Sequence, residues 1–305
     1  MTQDALAGKK ALVTGAAGNA GQAVCRALAQ AGCALRMADV APPAPQDQGL
    51  GEFVRCDTRT PEDARRAVMG MDGVVHLAAW HCAHNPPVSD ATIFAVNVDG
   101  TFNILEGCRA EGVNSVVFAS SMAYGPWGVY GASKVIGEAL CETYHNITGA
   151  AVAMLRYHDF VPKDYLAHGA MLLRNGVDRS DVAASTVDAL RACVEQKLGL
   201  FRTVVHTNHH MPADVVQDFP NLGPDWCEAQ VPGARDLLAR YAIHLPQTIE
   251  QHDMSEAAQV MGWEPKVGFT DFLRDLQARD ARGEDVAHLW VPGEVGAARE
   301  RRADT

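Results

Sequence analysis

The chain has 305 residues, 48 % of them hydrophobic, which is enough to bury a sizeable core in one large domain or in two that share a cleft. Its formal net charge of −11 argues against nucleic acid or an anionic membrane as a partner, but not against a small anionic substrate, which needs only a local basic pocket. No apolar run reaches the roughly 18 residues of a transmembrane helix, and Met1–Lys10 lacks the layout of a signal peptide.

The first predicted strand, Lys10–Thr14, runs into a Gly-x-x-Gly-x-x-Gly turn that opens a helix over Ala20–Ala31. Gly15 permits a tight turn, Gly18 lets the backbone approach a pyrophosphate, and Gly21 allows close packing of the helix. The helix N-terminus offers N–H donors and the positive end of a dipole to phosphate groups. Because strand, turn and helix occur in this order, the segment predicts a nucleotide site.

Two acidic residues follow the next strands. Asp39 closes the strand predicted over Ala34–Ala38, where a carboxylate accepts hydrogen bonds from ribose hydroxyls and repels a 2′-phosphate, which favours NAD over NADP. Arg36 precedes the strand end and is expected to point away, and an ordinary turn aspartate is the alternative for Asp39. Asp57 follows the third strand, where it contacts the adenine edge or caps the helix that starts at Pro61.

Apolar runs and helical stretches continue to alternate, which predicts an α/β fold: a Rossmann-type, doubly wound parallel sheet of about seven strands with helices on both faces. The later strands are predicted at Glu52–Arg55, Gly73–Leu77, Ser115–Ala119, Ala151–Leu155 and Thr203–His206. The later helices are predicted at Pro61–Met69, Asp90–Glu111, Tyr130 to about Tyr144, and Gly176–Lys197.

Prolines break the chain into shorter pieces after Arg156, which predicts a smaller C-terminal substrate lobe. We assign residues 1–157 to the nucleotide-binding domain, rejoined by about 177–208. Residues 158–176 and 209–290 form the lobe, expected at the carboxyl ends of the strands, where doubly wound folds bind ligands. Residues 291–305 are a tail.

The segment Tyr130-Gly-Ala-Ser-Lys134 carries the strongest chemical signal. Tyr130 and Lys134 are four residues apart on a helix and therefore share a face. A nearby ammonium lowers the pKa of the phenol, which can then take a proton from a substrate hydroxyl or return one to a carbonyl. Ser120 and Ser121, at the end of the preceding strand, are candidates to hydrogen-bond the reacting oxygen, and strand-end capping is the alternative for both.

In this order the features resemble the extended short-chain dehydrogenase/reductases, the NAD-dependent epimerase/dehydratase group. The resemblance is dense over residues 8–156 and thin beyond them. Its segments are Thr14–Gly21, Asp39, Asp57, His76–Ala79, Asn97–Thr101, Phe118–Ser121 with Tyr124-Gly125, Tyr130–Lys134 and, near the C-terminus, Met254–Pro265.

The resemblance implies a bound NAD and a homodimer formed through the helices over Asp90–Glu111 and Tyr130–Tyr144. It also implies that Tyr130 is the catalytic acid/base and that Lys134 binds the nicotinamide ribose. Ser121 is expected to hydrogen-bond the reacting oxygen, with Ser120 as the close competitor. The resemblance also implies that Asn97 helps to support Lys134. The implied cofactor contacts are Gly15, Ala17, Gly18, Asn19, Ala20, Gly21, Asp39, Asp57, Leu77, Ala78, Ala79, Asn97, Tyr130 and Lys134.

Two departures from the family pattern bear on the substrate. Only eight residues separate Ser121 from Tyr130, so part of the usual substrate loop is missing. Met122-Ala123 stands where dehydratases carry an Asp-Glu pair, which argues against a dehydratase. The segment Gly262-Trp263-Glu264-Pro265 resembles one near the C-terminus of nucleotide-sugar epimerases, so we predict an epimerase acting on a sugar or nucleotide-sugar. The shortened loop makes a sugar or sugar-acid dehydrogenase the alternative. A non-catalytic NAD-sensing protein is less favoured, because both Tyr130 and Lys134 are present.

The chain contains further polar residues that are candidates for metal or substrate binding. The loop His81-Cys82-Ala83-His84 and the cluster of His206, His209 and His210 contain metal-ligand residue types, but neither supplies a convincing set of ligands, so no metal is predicted. Eight scattered cysteines without a Cys-x-x-Cys pair predict reduced thiols in a cytoplasmic protein. The candidate substrate residues are Trp80, His81, Tyr124 and Trp127, together with the cations Arg156, Arg174, Arg179 and Arg235.

Overall fold

The structure is a computed structural model, and it describes residues 4–82 and 87–293. The described chain forms two compact units. The first takes the residues up to Tyr157 together with Val182–Val205 and Met254–Glu264. The second takes His158–Asp181, His206–Asp253 and the residues from Pro265 onward. The segment Met254–Glu264, which the sequence analysis placed in the lobe, belongs to the first unit.

The first unit is built on one parallel sheet of seven strands in the order β3-β2-β1-β4-β5-β6-β8. The predicted α/β fold is thereby confirmed, and each of these strands lies within three residues of its predicted bounds. A short antiparallel pair, β7 and β9, lies in the second unit. The strands are β1 (Lys10–Thr14), β2 (Ala34–Asp39), β3 (Gly51–Arg55), β4 (Gly73–His76), β5 (Ser115–Ser121), β6 (Ala151–Tyr157), β7 (Lys163–Asp164), β8 (Leu200–Val205) and β9 (Trp290–Val291).

The helices follow the predicted pattern through the first unit, with one irregularity. The helix predicted over Asp90–Glu111 carries a π-helical stretch at Ala95–Asp99 between α3 and α4. The helices are α1 (Asn19–Gln30), α2 (Pro61–Val68), α3 (Asp90–Phe94), α4 (Gly100–Glu111), α5 (Val129–Thr148), α6 (Tyr165–Leu172), α7 (Arg179–Val194), α8 (Ala213–Gln217), α9 (Phe219–Gln230), α10 (Ala234–Arg240), α11 (Ser255–Met261) and α12 (Phe269–Ala281), with a 3₁₀ turn at Pro45–Asp47.

Each unit has its own apolar core. In the first, β1, β4, β5 and β6 are buried along nearly their whole length, as expected for strands covered on both faces. In the second, aromatic side chains from α6, α9 and α12 pack together, among them Tyr165, Phe219, Trp226, Phe269 and Phe272. Among the described residues, no helix is long and apolar enough to cross a membrane.

The strand order indicates where the first unit binds a ligand. The order runs outward from β1 in both directions, so the sheet reverses between β1 and β4. In doubly wound folds the crevice at this reversal, beyond the carboxyl ends of the strands, is where nucleotides bind. The glycine turn follows β1, and Leu77–Ala79 follows β4.

Candidate active site

Two glycines of the turn after β1 have no room for a side chain. Gly15 has φ +69°, and a Cβ there would lie 2.8 Å from the backbone nitrogen of Ala78. A Cβ on Gly21 would overlap the carbonyl oxygen of Gly15 and lie 2.7 Å from the Cα of Ala16. Gly18 is the N-cap residue of α1, with extended backbone. The turn therefore packs tightly against both the loop after β4 and helix α1, and the N-cap residue of α1 makes no side-chain cap hydrogen bond that would compete with a pyrophosphate.

Asp39 lies beside this turn at the end of β2. Its Oδ2 accepts a hydrogen bond from the N–H of Ala17 at 3.0 Å, and its Oδ1 accepts one from Ala41 at 3.1 Å. Arg36 donates to Glu52 and to the carbonyl oxygens of Ala67 and Met69. The Arg36 guanidinium is therefore occupied elsewhere, and the carboxylate fits the ribose contact that the sequence predicts for it.

Asp57 has a different set of local contacts. Its carboxylate pairs with Arg59 at 2.6 Å, and the hydrogen bonds from Arg59 hold its pKa below the usual range. The N-cap residue of α2 is Thr60, so the alternative that Asp57 caps this helix is wrong. Its contact with adenine stays a prediction.

A buried chain of hydrogen bonds positions the loop after β4. Thr101 Oγ1 donates to the carbonyl oxygen of Asn97 at 2.6 Å and therefore accepts from His76 Nε2 at 3.0 Å. His76 Nδ1 is then bare and accepts from Thr14 Oγ1 at 2.7 Å, while Thr14 Oγ1 accepts from the N–H groups of Leu77 and Ala78. Burial lowers the pKa of His76 to about 3, so the ring is neutral.

Asn97, in the π-helical stretch, connects that loop to α5. Its Oδ1 accepts from the N–H of Trp80 at 2.8 Å, and its Nδ2 donates to the carbonyl oxygen of Trp80 and to Ser133 Oγ at 2.9 Å. Ser133 in turn donates to the carbonyl oxygen of Tyr130 at 2.7 Å. The resemblance gives Asn97 a role in supporting Lys134; in the structure these hydrogen bonds go instead to Trp80 and to Ser133, the neighbour of Lys134.

The structure places Tyr130, Lys134 and Ser121 close together. Lys134 is only 4 % exposed, its Nζ donates to the carbonyl oxygen of Ala119 at 2.7 Å, and Nζ lies 5.6 Å from the centroid of the Tyr130 ring. Burial raises the pKa of Tyr130 to about 12, and a hydrogen bond from Ser121 opposes the rise. Burial also lowers the pKa of Lys134 to about 8.

These shifts differ from the sequence expectation that Lys134 lowers the pKa of Tyr130. The expectation omitted burial, which penalises both the phenolate and the ammonium. The ammonium is also held by Ala119 and lies against the Phe118 ring, at 5.4 Å from its centroid.

The two adjacent serines have separate partners. Ser120 Oγ donates to Glu138 Oε1 at 2.5 Å, and Glu138 also pairs with Arg156 and Arg202. Although burial opposes ionisation of Glu138, the hydrogen bonds from Arg156 and Ser120 hold its pKa below the usual value. Ser120 therefore belongs to a buried ion-pair network, and Ser121 is the serine that reaches Tyr130.

The candidate substrate residues are spread over both units. His81 packs its ring edge-on against Tyr130, with 4.5 Å between centroids. The Arg156 guanidinium lies 4.0 Å from the Tyr124 ring centroid and is already paired with Glu138. Trp127 is 89 % exposed, His84 lies outside the described residues, and the substrate roles of Trp80 and Arg179 stay predictions.

Several residues that hold the site together were not predicted from the sequence. His76 and Thr101 were seen only as parts of motifs, and Ser133 and Glu138 were not singled out. Glu138 is a glutamate in the interior of α5, four residues after Lys134, and this i, i+4 spacing is the signal that it shares the buried face.

The nucleotide turn at the sheet reversal and the Ser121-Tyr130-Lys134 group define a dinucleotide-dependent short-chain dehydrogenase/reductase. The profile of the NAD dependent epimerase/dehydratase family matches residues 11–164, just over half of the chain, and the chain belongs to this family. NAD is therefore its cofactor, and the residues of the turn and Asp39 fit it.

The individual relatives include sugar-acid dehydrogenases and nucleotide-sugar epimerases. The chain is 33 % identical over 171 residues to uronate dehydrogenase of Agrobacterium fabrum, covering 51 % of this chain and 63 % of that protein. It is 31 % identical over 191 residues to UDP-glucose 4-epimerase of Streptomyces lividans, covering 52 % and 57 %. The crystal structure of uronate dehydrogenase from Agrobacterium tumefaciens superposes with a TM-score of 0.61 at 25 % identity, covering 88 % of this chain and 89 % of that one.

The sequence matches are partial. The matched segment spans 61–64 % of the length of three curated relatives, two uronate dehydrogenases and an L-arabinose 1-dehydrogenase. Relatives thus include both epimerases and sugar or sugar-acid dehydrogenases.

Proposed function

We propose that this chain is an NAD-dependent oxidoreductase acting on a carbinol of a sugar-type substrate, and that within this class it is a dehydrogenase of a free sugar or sugar acid. The grouping of Tyr130, Lys134 and Ser121 beside the nucleotide turn carries the proposal for the class. The dehydrogenase is supported by the short link between Ser121 and Tyr130, and by the uronate and L-arabinose dehydrogenases among the relatives.

In this proposal each residue has a chemical task. Bound NAD supplies the hydride acceptor, and it is held by the glycine turn and by Asp39. Ser121 donates a hydrogen bond to the substrate oxygen, and Tyr130 takes the proton of the substrate hydroxyl. To accept this proton, Tyr130 must be a phenolate, which burial disfavours. The nearby Lys134 ammonium is the positive charge that stabilises the phenolate during the reaction.

A nucleotide-sugar epimerase is the second candidate. It is supported by the UDP-glucose 4-epimerase relative and by the segment Gly262-Trp263-Glu264-Pro265, which the sequence analysis matched to epimerases. The same three residues serve both reactions, because an epimerase also removes and returns a hydride at a carbinol. A dehydratase is not proposed, since Met122-Ala123 stands in place of the acidic pair.

The first experiment separates the two candidates through the cofactor. Freshly purified protein is denatured and the released nucleotide is identified and counted. A dehydrogenase is expected to release little NAD and to reduce added NAD with a free sugar or uronic acid from a panel. One equivalent of retained NAD, with interconversion of UDP-sugars and no net NADH, would instead establish the epimerase.

The Tyr130→Phe variant tests the catalytic class. Because the ring and its packing are kept, NAD affinity is expected to stay within about twofold, whereas turnover falls by about 10³-fold or more. Turnover at the wild-type rate in this variant would remove Tyr130 from the chemistry. NAD binding without turnover of any tested sugar in the wild-type protein would favour the NAD-sensing alternative.

Two further expectations stay predictions. Homodimer formation is implied by the resemblance, and Phe94 of α3 and Phe102 of α4 are exposed on the elements that would form the interface. The cytoplasmic location rests on the cysteine pattern alone. Within the described residues all cysteines are free thiols, and Cys82 is the exposed one among them.

A further inference from the structure

Three histidines that the proposed chemistry does not use meet in the second unit. One ring nitrogen from each of His158, His206 and His252 lies within 4.8 Å of the others. The Nε2 atoms of His158 and His252 are 2.9 Å apart, and the centroids of the His158 and His206 rings are 4.1 Å apart. His158 and His206 are buried and His252 is partly buried.

The chain brings two of the three together through strand pairing. His158 directly follows β6 and His206 directly follows β8. The last residues of these parallel strands, Tyr157 and Val205, are register partners. The two chain segments therefore leave neighbouring strands side by side, and the third histidine comes from the segment before α11.

The hydrogen bonds of His206 leave a lone pair free inside the protein. Its Nε2 lies 3.2 Å from the carbonyl oxygen of Arg174, which can only accept, so Nε2 carries the proton. Nδ1 is then a bare acceptor, and it is buried without a hydrogen-bond partner among the described residues. A ligating histidine commonly donates its other ring N–H to a backbone carbonyl in this way, which fixes the tautomer for the metal.

The protonation state of the cluster also suits a metal. Burial lowers the pKa of His158 to about 3 and that of His206 to about 4, and the neighbouring histidines add to the effect. Both rings are therefore neutral near pH 7, which is the form that binds metal ions.

A carboxylate that borders a cavity lies next to the cluster. Glu250 Oε1 is 2.9 Å from His252 Nε2 and 3.7 Å from His158 Nε2. Glu250 also lines a cavity of about 550 Å³ whose wall includes Arg174 and residues 246–249. The three nitrogen ligands thus have one carboxylate oxygen beside them as a possible fourth ligand, and that carboxylate borders a cavity.

We propose that His158, His206 and His252 bind one divalent transition-metal ion of the zinc class, with Glu250 or a water molecule as the fourth ligand. Zn²⁺ takes such tetrahedral nitrogen and oxygen sets, and imidazole ligands suit it. Zn–N bonds of about 2.0–2.1 Å place tetrahedral ligands about 3.4 Å apart. The present separations, from 2.9 Å to within 4.8 Å, bracket that value, so small ring rotations would complete the site. The proposal replaces the sequence expectation of no metal and is independent of the proposed function.

The test uses full-length protein without an affinity tag, stripped with a chelator, in a Cys82→Ser background that removes the exposed thiol. Isothermal titration with Zn²⁺ is expected to give one equivalent per chain. Co²⁺ is expected to bind at the same site with the intense visible absorption of tetrahedral coordination, which reports the ligands without any activity assay.

Two ligand variants and one control make the test specific. His252→Asn and His206→Gln each remove a ligand and are expected to weaken Zn²⁺ binding by about 100-fold or more. His244→Asn alters an exposed histidine of the same unit and is expected to bind Zn²⁺ as the parent does. Circular dichroism confirms that each variant is folded.

Two results would overturn the proposal. One is the absence of saturable Zn²⁺ binding by the parent. The other is equal binding by a folded His252→Asn variant and by the His244→Asn control, since the ion would then sit elsewhere.

Discussion

The reacting groups lie in surroundings that disfavour charge. Burial raises the pKa of Tyr130 to about 12 and lowers that of Lys134 to about 8, so desolvation penalises the phenolate and the ammonium alike. Each group has a neighbouring hydrogen-bonding partner. Ser121 hydrogen-bonds toward Tyr130, and the carbonyl oxygen of Ala119 holds Lys134. Catalysis then also depends on which of the two serine hydroxyls, Ser120 or Ser121, hydrogen-bonds the reacting oxygen.

The two serines give a direct test at this scale. Removing the hydroxyl in Ser121→Ala is expected to lower kcat by about 10²-fold, because a donor to the substrate oxygen is lost. It is also expected to cost about 1 kcal/mol of stability, because the N–H of Ala123 loses Ser121 Oγ as its acceptor at 3.1 Å. Ser120→Ala is expected to keep kcat within a few-fold but to destabilise the protein by about 2 kcal/mol, since the buried Glu138 carboxylate loses a donor. Steady-state kinetics and urea unfolding measure the two effects.

The opposite pattern would exchange the two roles. A large loss of kcat in Ser120→Ala, with Ser121→Ala fully active, would make Ser120 the catalytic serine and leave Ser121 as a strand-end group.

At the scale of elements, the position of α1 depends on glycine. A Cβ on Gly21 would overlap the Gly15 carbonyl oxygen, so the first turn of the helix must move away from the nucleotide turn when a side chain is added. We expect Gly21→Ala to weaken NAD binding by at least about tenfold, because the helix N-terminus no longer lies against the pyrophosphate. Calorimetric titration with NAD measures this.

Gly49→Ala is the matched control. Gly49 has no neighbour within 4 Å of an added Cβ, so the same substitution there is expected to leave NAD affinity unchanged. Wild-type affinity in Gly21→Ala would mean that α1 does not position the cofactor.

The elements themselves could be predicted from the sequence, whereas their local details could not. The apolar runs and the glycine turn were enough to predict the parallel sheet, because buried parallel strands are marked by apolar runs. The π-helical stretch at Ala95–Asp99 has the same apolar spacing as an α-helix and left no signal. Adjacent residues of a strand point to opposite faces, so the sequence could not decide which of Ser120 and Ser121 reaches Tyr130.

The cluster of His158, His206 and His252 could not be predicted from the sequence either. Strands β6 and β8 were both predicted, but their register was not, and the sequence grouped His206 with His209 and His210 because they are close along the chain. Only the pairing of Tyr157 with Val205 brings His158 to His206. Contacts between residues about 50 apart depend on topology, which periodicity does not encode.

At the scale of the whole molecule, buried neutral histidine makes stability depend on pH. His76 is fully enclosed between Thr14 and Thr101, and burial lowers its pKa to about 3. In the unfolded chain the ring takes up a proton below its ordinary pKa of about 6.5. The unfolded state therefore binds more protons, and the contribution of His76 to stability is complete above about pH 6.5 and is lost progressively as the pH falls toward 3.

Replacing His76 isolates this contribution. Between pH 7.5 and 5.5 the wild-type protein is expected to lose about 1 kcal/mol more stability than His76→Asn, because the variant has no ring to protonate on unfolding. Thr101→Val is the control: it removes a hydrogen-bond partner of His76 but keeps the titrating ring, so it should lower stability at both pH values and retain the wild-type slope. Urea unfolding of the three proteins at the two pH values measures the slopes. A wild-type slope in His76→Asn would mean that folding does not lower the pKa of His76, which the hydrogen bond that its bare Nδ1 accepts from Thr14 argues against.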